Sequence, residues 1–172
     1  MPYTCAICGE THDDLPHVGF PAPCHWSEEF VGAPDSLLTA DLCIIRGSDY
    51  FVRGVIEIPV HDYEHEFGFG VWVSHKKENF ERYRERFDDA EDIGPFFGWL
   101  STVIPCYRRS TLNLKTMAHY LGDGTRPRIM LDESKHLLSR QQREGISLAE
   151  AWKIVHRCVK DITESGERRE QR

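Results

Sequence analysis

A chain of 172 residues with 40% hydrophobic and 11% aromatic content, Gly 13 and Pro 9 carries enough apolar surface to close a core unaided, and this composition excludes collagen-like, coiled-coil and disordered classes. Twenty-eight Asp and Glu against 21 Lys and Arg give a formal net charge of -7, which repels phosphate backbones and makes nucleic acid a poor partner. No window reaches the roughly 18 consecutive apolar residues of a membrane span, and Met1-Pro2-Tyr3-Thr4-Cys5 lacks the basic and apolar regions of a secretion signal, so a soluble, cytoplasmic protein without a membrane partner is expected.

In chain order, Cys8 to Leu38 contains Pro16, Gly19, Pro21, Pro23, Gly32 and Pro34, too many breakers for a long helix or a central strand. It reads as a wrapped loop with a short helical turn around Ser27 to Phe30. Leu42 to Ile45, Tyr50 to Ile58 and Phe67 to Val73 are rich in β-branched and aromatic residues and are separated by turn signals, which predicts three antiparallel strands. In the third, Phe67, Phe69, Val71 and Val73 share one face, and Gly68, Gly70 and Trp72 the other. Ser74 is placed to cap a helix reaching about Phe87, with Phe80, Tyr83 and Phe87 on one stripe. Strand-like pieces follow at Phe96 to Ile104, Leu112 to Tyr120 and Arg128 to Leu131. Ser147 and Glu150 form a capping box before a helix whose apolar stripe is Leu148, Ala151, Trp152, Val155, Val159 and Ile162.

The fold class is therefore α+β, a mainly antiparallel sheet flanked by helices, with an N-terminal zinc-knuckle loop segment. A single domain is expected over 1–164, its zinc-binding segment over 1–45, and a charged, disordered tail over 165–172.

The six cysteines, at 5, 8, 24, 43, 106 and 158, suit metal binding and core packing better than a disulfide framework, because the first two stand at metal-ligand spacing in a long chain without a secretion signal. In Cys5-Ala6-Ile7-Cys8-Gly9, two thiolates on a tight turn can ligate one zinc, and Gly9 permits the positive φ such a turn requires. His12 is near enough to add a third ligand. The fourth is open among Cys24, His25, Cys43 and His17. Cys43 at the start of the first strand would pin the proline-rich segment to the sheet, the role of a structural zinc. A redox pair would normally begin a helix after a strand, and Gly9 to Pro16 makes a poor amphipathic helix.

Elsewhere the chemistry is weaker. His61-Asp62-Tyr63-Glu64-His65-Glu66 reads as a hairpin loop, Cys106 and Cys158 as core thiols, and His119 and His136 as packing residues. Gly122-Asp123-Gly124-Thr125 lacks the lysine of a phosphate loop, and Ser101, Ser110 and Ser134 lack nucleophile-elbow glycines. Lys115, Arg126 and Arg128 fall on neighbouring strands, and Arg53, Trp72 and Trp99 could line the same sheet, which would suit a small anionic ligand or an acidic peptide. Against that, the arginines could simply pair with Glu57 and other carboxylates.

Several elements together resemble an uncharacterised, mostly bacterial family, domain of unknown function DUF2199: Cys5-x-x-Cys8-Gly9-x-x-His12, Asp41-Leu42-Cys43, Phe51-x-Arg53-Gly54, Glu57-Ile58-Pro59, Gly70-Val71-Trp72-Val73-Ser74, Gly94-Pro95-x-Phe97-Gly98-Trp99-Leu100, Leu112-Asn113-Leu114-Lys115-Thr116, Arg126-Pro127-Arg128-Ile129 and Gly145-Ile146-Ser147. The resemblance brings no activity with it. It implies Cys43 as the fourth ligand over Cys24, since Asp-Leu-Cys looks like part of the family pattern. The functional expectation is a zinc-stabilised binding or interaction module for an unidentified protein or a small anionic ligand, with zinc on Cys5, Cys8, His12 and Cys43. The alternatives are a hydrolase with a pocket lined by Trp72 and Trp99, and a thiol-based redox or metal sensor.

Overall fold

A computed structural model describes residues 3–4, 9–89 and 93–158. The chain opens with a small hairpin, β1 (Tyr3–Thr4) and β2 (Thr11–His12), in which Tyr3 faces His12 and Thr4 faces Thr11. After β3 (Val18–Gly19) comes a 3-10 turn at Glu28–Phe30, then β4 (Leu37–Leu38), β5 (Leu42–Ile45), β6 (Asp49–Ile58), β7 (Val60–His61) and β8 (Phe67–His75). Helix α1 (Lys77–Arg86) leads to β9 (Phe96–Trp99), β10 (Lys115–His119) and β11 (Arg128–Leu131), and α2 (Leu137–Glu144) leads to β12 (Ile146–Ser147). Helix α3 is described over 148–158. The expected tail at 165–172 lies outside the described residues, as do Cys5 and Cys8.

The main sheet is mixed. Its order is β3-β8-β6-β11-β10-β9, with β5 also paired to β6. The long β6–β8 and β5–β6 pairs are antiparallel as the alternating pattern predicts, but β3 joins β8 in parallel, β11 joins β6 in parallel, and β12 joins β7 in parallel. The expected mainly antiparallel sheet is corrected on this point. Alternation of side chains specifies which face a residue takes, not which strand lies alongside. Here β5 occupies β6 only from Asp49 to Val52, and β11 returns to the same edge beyond it, opposite Val55.

The sheet also curls on itself. Val73 bridges to Leu100, the amide of Ser101 donates to Trp72 O at 2.8 Å, and the amide of Trp99 donates to Ser74 Oγ at 3.1 Å. Gly98 makes this approach feasible, because a Cβ there would lie 2.3 Å from Ser74 O. Ser74 is thus a sheet residue and not the expected helix cap; β8 runs on to His75, and α1 begins after Lys76.

Two apolar clusters lie on opposite faces of β6 and β8. Val52, Ile56, Ile58, Phe67, Phe69, Val71 and Val73 point to the main core, where Phe80 and Tyr83 of α1, Leu138 of α2 and Trp152 and Val155 of α3 pack. On the other face Phe51, Trp72, Cys43 and Ile45 form a smaller cluster roofed by Phe30 of the wrapped loop. That cover is the use of the proline-rich segment, whose Phe20 carbonyl also accepts the Trp72 indole N–H at 2.9 Å. Of the expected capping box before α3, the Ser147 half is seen, with the Glu150 amide donating to Ser147 Oγ at 3.2 Å, while the Glu150 carboxylate pairs with Lys153 at 3.5 Å.

Helix α2 has little apolar periodicity and was not legible as a helix. It buries Gln141 and Gln142 beside Leu138, and those amides act as strand edges. Gln142 Oε1 accepts from the Leu131 amide at 2.8 Å while its Nε2 donates to Ile129 O at 2.7 Å, and Gln141 Oε1 accepts from Tyr107 Oη at 2.6 Å. Replacing Gln142 by Leu keeps the volume and strips both β11 groups of their partner, so urea unfolding should show a loss of roughly 2–4 kcal/mol; a change under about 0.5 kcal/mol would refute this edge-capping role.

Candidate functional site

Three groups of residues compete for function, and the fold separates them. The first is the N-terminal hairpin. β2 sets the His12 ring on Trp152 of α3, with centroids 4.2 Å apart and planes at 22°, and the His156 ring stands 6.2 Å from His12. Cys43 is elsewhere. Strand alternation in β5 sends its side chain to the face of Phe51 and Trp72, where it is fully buried in the smaller cluster, and burial pushes its thiol up to about 12. His12 instead rests on a tryptophan of the main core. Zinc holds its ligands about 2.0–2.3 Å away, so the sheet stands between these two expected ligands, and Cys43 is corrected to a core thiol.

The other fourth-ligand candidates also sit away from His12. The Cys24 sulfur is 3.5 Å from His25 Nδ1, and the His25 ring stacks on Phe51 at 5.4 Å, while the His17 ring occupies the space over Gly68. Among the described residues no three His, Cys, Asp or Glu side chains are grouped to hold a metal ion. Cys106 is hydrogen-bonded to Cys158, and that bond with burial raises its thiol well above the ordinary range, as expected of core cysteines.

The second group is the set of cations and indoles. Trp72 is corrected from a pocket wall to a core residue, since it is fully buried and its indole is hydrogen-bonded. Arg53 fills the room left by Gly19 and Gly70 and reaches Ala40 O at 3.4 Å; burial and then Arg126 lower its pKa, against the pull of Asp41. Arg126 pairs with Asp41 at 2.6 Å and Arg128 with Glu57 at 2.5 Å. Such half-exposed pairs contribute little stability and leave no convergent anion cradle. Lys115 stands directly opposite Trp99 in the β9–β10 register, and Arg53 opposite the buried Trp72 in the β6–β8 register.

The third group was not legible in the sequence. Where β6, β8 and β9 meet, two adjoining cavities of about 310 and 350 Å³ share Asp49, Phe51, Ser74 and Trp99 as walls. Lys76 and Phe97 border the first; His25, Arg46, Ser101 and Asn113 border the second. Arg46 and Asn113 both have left-handed backbone, φ 52° and 62°, and Arg46 lies 5.1 Å over the Phe30 ring with Glu29 3.6 Å away. In the sequence, Arg46 and Asp49 merely flank a turn; only the curl of the sheet brings Trp99 and Asn113 to them.

His75 lies behind this groove. Its Nδ1 faces Phe97 O at 3.2 Å, which can only accept, so Nδ1 carries the proton and Nε2 accepts from the Tyr120 hydroxyl. Burial lowers its pKa to about 4, and the neutral ring locks β8 to β9 and β10.

The architecture is thus a curled mixed sheet with helices on its core face and a wrapped loop on the other. The chain belongs to the family of uncharacterised proteins conserved in bacteria, DUF2199, whose profile matches residues 4–146. No curated protein and no solved structure matches the chain. No helix among the described residues is long and apolar enough to cross a membrane.

Because His75 is depressed from about 6.5 to about 4 on folding, the unfolded chain takes up the proton first as pH falls. Stability is then complete above about pH 6.5 and declines between 6.5 and 4, by about 1.4 kcal/mol per pH unit once the unfolded histidine is charged. Denaturation at pH 7, 6 and 5 should show this slope, and His75→Gln should flatten it; an equal slope in the variant would refute the assignment.

Proposed function

We propose that this protein is a cytoplasmic binding module whose N-terminal end is stabilised by zinc and which takes a small anionic ligand in the groove beside Trp99. The observation that carries the reading is the pair of adjoining cavities walled by Phe51 and Trp99, with Trp99 42% exposed at the rim. Their volumes fall in the range of small-molecule sites. Arg46 and Lys76 stand at the two ends, Ser74, Ser101 and Asn113 offer uncharged hydrogen-bonding groups, and Asp49 lies between the cations. A ligand with a carboxylate or phosphate, a flat ring for the indole and a donor for Asp49 fits this set. Zinc on Cys5, Cys8 and His12 is supported by the Cys-x-x-Cys-Gly-x-x-His spacing and by the reduced state of thiols in that compartment.

Thermal-shift screening with aromatic carboxylates and phosphates tests the groove. A binder present at 100 times its Kd stabilises by about 2.7 kcal/mol, and Trp99→Ala or Arg46→Ala should weaken it at least tenfold, while Arg128→Ala, on the sheet beyond the groove, should not. A binder indifferent to Trp99 and Arg46, or a panel without any binder, would refute the groove. Metal analysis of protein purified without added zinc should return one zinc per chain, reduced in Cys8→Ser; metal-free, folded protein would refute the zinc.

A further inference from the structure

We infer that the fourth ligand of the N-terminal zinc is His156 of α3, giving a site of two cysteines and two histidines that clamps the first hairpin to the last helix. This rests on the zinc reading of Cys5, Cys8 and His12. Two imidazoles on one tetrahedral zinc, each bound at about 2.0–2.1 Å, have ring centres roughly 5–6 Å apart. The His12 and His156 rings are at 6.2 Å, so a small rotation of either side chain brings both to one ion. Trp152 and His156 are four residues apart and share a face of α3. Trp152 is buried and stacks on His12 at 4.2 Å, which fixes the ring plane of the third ligand and holds His156 beside it.

In sequence the two thiols stand next to described positions of this hairpin. Cys5 directly follows Thr4, which pairs with Thr11 next to His12, and Cys8 directly precedes Gly9, whose φ is 74°. Three residues separate Cys8 from His12. Cys43, enclosed with Phe30, Phe51 and Trp72 on the other face of the sheet, cannot share an ion with His12 without dismantling the smaller cluster. The metal therefore joins the two ends of the fold, and the proline-rich segment is held by Phe20, Phe30 and Trp72.

Cobalt replacing zinc in the full chain distinguishes the two ligand sets, because the thiolate-to-cobalt charge-transfer absorption grows with the number of bound sulfurs. Cys43→Ala should leave that absorption unchanged. His156→Cys should raise it by about half, as two thiolates become three, and His156→Ala should weaken zinc binding at least tenfold in a chelator competition. If Cys43→Ala lowers the absorption, or if His156→Cys leaves it unaltered, His156 is not the fourth ligand, while the zinc on Cys5, Cys8 and His12 stands. If the wild-type chain takes up neither zinc nor cobalt, the zinc reading itself falls, and His156 with it.

Discussion

The antiparallel pair of β6 and β8 runs from Tyr50 opposite His75 to Ile58 opposite Phe67 without a break, and the rest of the fold is attached to one of its two faces. With a side-chain period of two, a slip of one residue would exchange the faces and turn Phe67, Phe69, Val71 and Val73 away from the helices. About 27 Å of paired backbone thus separates chemistry into compartments. Thiol Cys43 and indole Trp72 belong to the loop side, and the His12–Trp152 stack belongs to the helix side.

The same pair supplies the groove. β8 ends in Ser74 and His75, each joined to β9: Ser74 accepts the Trp99 amide, and His75 holds Phe97 O and the Tyr120 hydroxyl. Gly98 lets the strands meet closely enough for Trp99 to face Phe51. A protonated His75 has no acceptor to spare for Tyr120, so the rigidity of this wall and the acid sensitivity of the fold have one cause. The ion-paired arginines, Arg126 with Asp41 and Arg128 with Glu57, are best understood as the solvated outside of the sheet.

Where sequence reasoning erred, it erred over partners that are far apart along the chain. The glycines at 68 and 70 were visible as a bare face, yet their use, making room for His17 of the early loop and for Arg53 of β6, depends on what packs over the sheet. Trp72 looked like an exposed wall because alternation places it opposite the core stripe; the wrapped loop then covers that face. Helix α2 was missed because its buried positions are glutamines, chosen to bond the β11 edge instead of to fill apolar space.

By itself the sequence determined the strand and helix segments with strong periodicity, the two-faced character of β8, the Ser147 cap before α3, the Cys-x-x-Cys spacing and membership of the family. Apart from family membership, which rests on motifs spread over residues 4–146, these are local: each depends on residues within one or two turns of one another, where φ/ψ preference and side-chain period act directly. Only the tertiary structure decided the parallel pairings, the burial of Cys43 and Trp72, the approach of His156 to His12 and the groove beside Trp99. Each of those brings together residues from distant parts of the chain, and their contacts follow from how the sheet curls and which face the loop covers, quantities that no short window of residues encodes.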